Sequence, residues 1–109
     1  MEKLFDLTGK TAVVTGASSG LGASAAVAYA RAGADVAILA RRVEKLKEIK
    51  EDIEKTGRKA VAVGCDVTQE ASVKEAMQTV LDTFGHIDIL LNNAGVAVRG
   101  GVDTMTEED

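Results

Sequence analysis

Thr11-Ala12-Val13-Val14-Thr15-Gly16-Ala17-Ser18-Ser19-Gly20-Leu21-Gly22 is the stretch on which the fold turns. Its first five residues are apolar or β-branched, the composition of a buried strand. Glycine and serine follow, and the small-residue stretch 23–32 then reads as a helix stopped by Gly33. A strand that runs through glycines straight into a helix leaves free backbone N–H groups at the helix start. The helix dipole favours an anion there, and absent Cβ atoms allow it to come close. Gly16, Ser18, Ser19, Gly20, Leu21 and Gly22 are therefore expected to hold phosphate. A turn made glycine-rich by packing alone is the competing explanation; placement directly after a strand, with two hydroxyls inside the loop, favours phosphate.

The remaining sequence repeats the alternation of strand and helix. Residues 35–40 form a second apolar run, followed by a charged helix with Val43, Leu46, Ile49 and Ile53 on one face and Gly57 at its end. A third strand, 60–63, leads through Asp66 and Val67 to Thr68, which suits a helix N-cap. Val73, Ala76, Met77, Val80, Leu81 and Phe84 then fall at helical spacing before Gly85. A fourth strand, 87–91, runs into Asn92-Asn93-Ala94-Gly95. Right-handed crossovers arrange these pieces as a doubly wound parallel α/β sheet, strand order 3-2-1-4, with a ligand crevice between strands 1 and 4 at their carboxyl ends. Thr106-Glu107-Glu108-Asp109 has the form of a further helix start, so the chain is expected to be the first half of a larger sheet. In a chain that stops there, strand four would be an exposed apolar edge prone to self-association.

Bulk properties narrow the function. The 109 residues suit one domain, and 46% apolar with 28% charged residues is the balance of an ordinary globular chain. At 3% aromatic content the core must be aliphatic, as in parallel strands covered on both faces. A net charge of −4 offers no basic face for nucleic acid. No apolar run approaches the roughly 18 residues of a membrane span, and the N-terminus lacks a signal peptide's apolar region, so a cytoplasmic protein is expected. Cys65, the sole cysteine, reads as a small buried hydrophobe, and no metal-ligand cluster is apparent.

The glycine spacing separates neighbouring nucleotide-binding classes. A P-loop needs Gly-Lys-Ser/Thr after four intervening residues, but Leu21 stands five positions after Gly16 and no lysine follows it. The pattern is Gly-x-x-x-Gly-x-Gly. With Asp66-Val67 and Asn92-Asn93-Ala94-Gly95 in register, the chain resembles the short-chain dehydrogenase/reductase family over essentially its whole length. It looks most like the 3-oxoacyl-carrier-protein reductase and gluconate or sugar-acid dehydrogenase branches.

That resemblance implies a Rossmann-type fold and a nicotinamide dinucleotide. Asp66 would accept a hydrogen bond from the adenine amino group, Val67 would line the ring pocket, and Asn93, Ala94 and Gly95 would pass under the ribose and phosphates. A loop carboxylate that helps cap the next helix is the plainer alternative for Asp66, and backbone bonding across strand ends the alternative for the asparagines. At the end of strand two, where an acid would bond the 2′-hydroxyl of NAD, stands Ala40, followed by Arg41-Arg42. NADP(H) is the expected cofactor, with NAD as the alternative if both arginines are merely solvated.

No catalytic residue is assigned. The family's tyrosine, the lysine four residues beyond it and its serine belong to the second half of the sheet; Tyr29 has no such lysine, and His86 lies away from the expected cofactor face. The expected parent is an NADP(H)-dependent alcohol dehydrogenase or carbonyl reductase acting on a small molecule, commonly as a homo-oligomer. A stand-alone, non-catalytic dinucleotide-binding module or sensor, or a purely structural subunit, are the alternatives.

Overall fold

The structure is a computed structural model that describes residues 6–93. Four strands form one parallel sheet: β1 (Thr11–Thr15), β2 (Asp35–Ala40), β3 (Ala60–Gly64) and β4 (Ile89–Asn92), in the order β3-β2-β1-β4. Thr15 is in register with Leu39 on one side and Asn92 on the other, so the carboxyl ends of the three strands finish level. Between the strands run α1 (Gly20–Arg31), a 3₁₀ turn (Val43–Leu46) continuing into α2 (Lys47–Glu54), and α3 (Glu70–Phe84).

The alternation of side chains along β1 and β2 divides the apolar residues between two cores. Ala12, Val14, Val36 and Ile38 point to the face covered by Ala26 and Ala30 of α1, Leu46 of the 3₁₀ turn and Ile53 of α2. Val13, Ala37 and Leu39 point to the other face, against Ala76 and Val80 of α3. Every residue of β1 is buried, including Thr11 and Thr15, which is why its sequence is a continuous run rather than an apolar-polar alternation. Alanines at the α1 contact let that helix lie close to the sheet; each fully buried Ile, Leu or Val adds about 1.5–3 kcal/mol of burial free energy. The reversal of direction from β3 back across β1 to β4 puts α3 on the face opposite α1, the doubly wound arrangement, and opens the crevice at the strand ends.

Several local expectations need correction. Helix α1 starts at Gly20, not residue 23, because Ser19 is its N-cap, and its C-cap is Ala32, followed by Gly33 at φ +113°. The second helical segment opens as a 3₁₀ turn in which Val43 is exposed, so only Leu46 and Ile53 of its expected face are fully buried. Thr68 is not the cap of α3. The helix begins one residue later, after Gln69, and the Thr68 amide and hydroxyl both donate to Asp66 Oδ1, at 3.0 and 2.6 Å. A short local turn has captured the hydroxyl expected at the helix end. Strand β4 pairs from Ile89 rather than Ile87 and is half-buried throughout. Ala94, Gly95 and the expected helix start at 106–109 lie outside the described residues.

Candidate dinucleotide site

At the carboxyl ends of β1, β2 and β3 lies a cavity of about 770 Å³. Its floor comes from Gly16, Ser18 and Ser19, one wall from Ala40, Arg41, Arg42 and Lys45, the other from Cys65, Asp66, Val67 and Thr68, and Asn93 closes the β4 side. The sheet thus brings Gly16, Ser18, Ser19, Arg41, Arg42, Asp66, Val67 and Asn93 together from four separate segments, while Gly20, Leu21 and Gly22 continue from the floor into α1.

The glycine loop is held by a hydrogen-bond network anchored on β1. Gly16 takes a left-handed conformation, φ +62°, which turns the chain out of the sheet. The Ser19 hydroxyl donates to the Gly16 carbonyl at 3.0 Å and accepts from the Gly22 amide at 3.2 Å and from Asn93 Nδ2 at 2.9 Å. One donor and two acceptor positions are a hydroxyl's full capacity, so Ser19 is committed to holding the loop. Ser18 is exposed at the cavity and its hydroxyl has no partner among the described residues. The amides of Gly20 and Leu21 also lack an acceptor among the described residues, as the first turn of a helix requires.

The two glycines of this turn differ in what they permit. A Cβ on Gly22 would lie 2.5 Å from the Gly16 carbonyl oxygen and 2.7 Å from Asn93 Nδ2, so Gly22 serves packing. A Cβ on Gly20 would meet nothing within 4 Å, and Gly20 therefore keeps open the approach to the helix start. Free amides, an unpartnered hydroxyl and open space above Gly20 fit a bound diphosphate. Leu21 is 73% exposed and leaves the cavity floor uncovered.

Thr15, which sequence reasoning missed, is the hub that joins β4 to this loop. Its buried hydroxyl donates to Asn92 Oδ1 at 2.9 Å and accepts from the Asn93 amide at 2.9 Å, while Asn93 Nδ2 also reaches the Gly16 carbonyl at 3.4 Å. Only the threonine ending a strand hinted at it. Both asparagines hold backbone and side chains across strand ends, and Asn93 in addition borders the cavity.

The charged wall is uneven. Asp66 keeps its carboxyl below the ordinary carboxylate range, first through the Thr68 hydroxyl and amide and then, more weakly, through Arg41. Arg41 Nη2 stands 3.9 Å from Asp66 Oδ2 across the cavity from β2 to β3, a loose and exposed pair. Arg42 and Lys45 have no ion-pair partner among the described residues. Lys45 is not among the site residues expected from the sequence, where it is one charge among many in that helix; its place three residues after Arg42, at the start of the helix, is the available signal. Cys65 is buried in the wall, and burial pushes its thiol up, away from the reactive thiolate.

His86 and Tyr29 stand apart from the cavity. His86 Nδ1 is 2.6 Å from Asp88 Oδ2 at the amino end of β4, and Tyr29 packs half-buried on the α1 side of the sheet. Among the described residues no group of His, Cys, Asp and Glu is placed to hold a metal ion, and no helix is long and apolar enough to cross a membrane.

A glycine loop, a carboxylate after β3 and an asparagine after β4 now meet at one crevice, and comparison with known proteins gives that combination a family. The short chain dehydrogenase family pattern matches residues 10–109. The chain belongs to that family. A hydroxynaphthalene reductase-like protein, Arp2, from Metarhizium guizhouense is 42% identical over 104 residues, which cover 94% of this chain and 39% of the relative. A metagenomic short-chain oxidoreductase in complex with NADP is 41% identical with a TM-score of 0.78, covering 83% of this chain and 41% of that one. NAD⁺-bound xylitol dehydrogenase is 36% identical with a TM-score of 0.79, covering 83% of this chain and 35% of that one. The chain spans about two fifths of the length of the curated relatives it matches, and the strand order 3-2-1-4 of its short-chain dehydrogenase fold is the one its sequence implies.

Proposed function

We propose that residues 1–109 are the cofactor-binding portion of an NADP(H)-dependent oxidoreductase that interconverts a small-molecule alcohol and its carbonyl compound. The observation that carries this reading is one cavity that runs from helix-start amides unpaired among the described residues to Arg41 and Arg42, with Ala40 where an NAD-binding chain would need an acid. The amides of Gly20 and Leu21 and the Ser18 hydroxyl bind the diphosphate; Asp66 accepts from the adenine amino group through the oxygen that Thr68 does not occupy; Val67 lines the ring; Asn93 bears on the ribose, and Ala94 and Gly95 continue from it. Arg42, with Arg41, meets the 2′-phosphate. When bound, the nicotinamide supplies or accepts the hydride. The protein's own contribution here is to fix the adenosine half and to orient what extends beyond it over the carboxyl end of β4. A cytoplasmic homo-oligomer is consistent with this role.

The relatives carry both NADP and NAD, so preference rests on this chain's own charges. An arginine bonded to a phosphate contributes about 1.5–3 kcal/mol, a preference for NADPH over NADH of roughly ten- to a hundredfold. Titration of the chain with each reduced dinucleotide, followed by nicotinamide fluorescence, tests it. Arg41→Asp is expected to reverse the preference, since it replaces a cation with an acid at the ribose; equal affinities in the unaltered chain would refute the assignment.

A further inference from the structure

We propose that Lys45 is a specificity-determining residue that meets the dinucleotide's 2′-phosphate together with Arg42. This deepens the NADP(H) reading and rests on it. The two residues are brought together by backbone geometry rather than by sequence adjacency. The chain leaving β2 turns at once into the 3₁₀ segment, where the Lys45 amide donates to the Arg42 carbonyl at 3.1 Å. Arg42 is the extended residue that caps this turn, and the bond holds the Lys45 backbone within one turn of it, so that both residues line the same cavity. Leu46, fully buried between the sheet and the helices, anchors the turn from below, and Lys45 beside it lines the cavity wall. The intervening Glu44 is exposed and does not line the cavity.

Lys10, Arg31, Arg42, Lys45, Lys47 and Lys59 have no carboxylate within ion-pair distance among the described residues, and of these only Arg42 and Lys45 line the cavity. Lys50, Lys55, Lys74 and Arg58 each have a carboxylate within 4 Å, on Glu54, Asp52, Glu70 and Asp35 respectively. Arg41 faces Asp66, the one carboxylate of the cavity wall among the described residues, so part of its charge is already answered. Arg42 and Lys45 keep theirs among the described residues, at the end of β2 where the ribose lies. A phosphate dianion at that point meets two unpaired cations and a third held to one side. An ammonium on a flexible stem suits such a role, since it follows the phosphate as a point charge without demanding the planar geometry of a guanidinium.

The experiment is a comparison of dinucleotide affinities in the full chain carrying Lys45→Ala, Lys45→Glu or Lys45→Arg, with adenosine 2′,5′-bisphosphate and 5′-AMP as probes that lack the nicotinamide. Lys45 is exposed, so the variants should melt with the unaltered chain, a control read by circular dichroism. Lys45→Ala is expected to weaken NADPH and the bisphosphate about fivefold, as for one solvent-screened charge contact, and to leave NADH and AMP unchanged. Lys45→Glu should weaken them further, and Lys45→Arg should retain most of the affinity. If the unaltered chain favours NADPH but Lys45→Glu leaves NADPH and the bisphosphate, the two ligands with a 2′-phosphate, within about twofold, or weakens NADH equally, the Lys45 assignment alone is overturned. A chain that binds NADH as well as NADPH overturns the NADP(H) reading and this inference with it.

Discussion

The two ends of the sheet treat charge in opposite ways. At the amino end, carboxylates are consumed by structure. Asp35 Oδ1 accepts from Arg58 Nε and Nη2 and from the Lys59 amide, at 3.1–3.2 Å, which ties β3 to β2. Asp88 Oδ2 accepts from the Thr11 amide at 2.9 Å while the Asp88 amide donates to the Thr11 carbonyl at 2.9 Å, and His86 closes on the same oxygen. That reciprocal clasp ties β4 to β1. At the carboxyl end, by contrast, amides at a helix start, the Ser18 hydroxyl and the cations Arg42 and Lys45 stay unmatched among the described residues beside an open cavity, which Lys10 and Lys59, the cations without an ion pair at the amino end, do not border. Unmatched donors cost little while water can reach them, and they can be spent on a ligand. The difference teaches where to look for function: not at the tightest polar network, but at the end of the fold where satisfaction is incomplete.

Substitutions can break this contrast or sharpen it. The largest effect is expected from Gly22→Ala, since its Cβ would strike the Gly16 carbonyl and Asn93 with backbone on one side. A loss near the upper end of about 1–3 kcal/mol is expected, as for overpacked sites, measured by urea denaturation, together with loss of NADPH binding. Should Gly22→Ala melt normally and bind normally, the packing account of the loop is wrong. Next is Asp35→Ala, which strips three charge-assisted bonds from the amino end. It should cost about 1–2 kcal/mol while leaving dinucleotide affinity unchanged. A weakened affinity would mean that the two ends are not independent.

A smaller effect depends on pH and draws on both ends. The Thr11 amide, and then His86, hold the Asp88 carboxyl below the ordinary carboxylate range, as Thr68 and Arg41 hold that of Asp66. Groups with depressed folded-state values stabilise above their unfolded value, about 3.9 for aspartate, and lose that contribution as pH falls through the folded value. Stability should therefore decline below about pH 4. In Asp88→Asn the decline should be shallower, read as melting temperature against pH, with Asp66 supplying the remainder; an unaltered profile would remove Asp88 from the account. Least disruptive of all is Gly20→Ala, whose Cβ has open space. Its melting temperature should match or slightly exceed that of the unaltered chain, because alanine suits a helix start better than glycine, yet NADPH should bind less tightly as the methyl group enters the phosphate approach. That split between stability and binding is the sharpest test of which glycine serves which purpose.

Much of this molecule is legible in its sequence. Continuous apolar runs at 11–15 and 35–40 imply strands covered on both faces, glycine after each helical stretch marks its end, and the right-handed crossover rule leaves one economical order for four parallel strands. The placement of Gly16–Gly22 and Asn93 at the carboxyl ends follows from that order. Local competition was harder to read. Thr68 suits a cap by type, but a nearby carboxylate claimed its hydroxyl, and a charged run after β2 begins as a 3₁₀ turn because Leu46 must reach the core so soon after the strand.

Pattern and period thus determined the topology, because burying strands on both faces admits few arrangements and each strand declares itself locally. Only the tertiary structure decided which polar groups are already spoken for. Ser19 saturated, Ser18 without a partner among the described residues, Arg41 facing Asp66 and Lys45 bonded back to the Arg42 carbonyl all depend on distances between segments far apart in the chain or on a change of helix pitch. Hydrogen bonds and ion pairs are short-ranged, and an ångström of backbone position settles them where periodicity is silent.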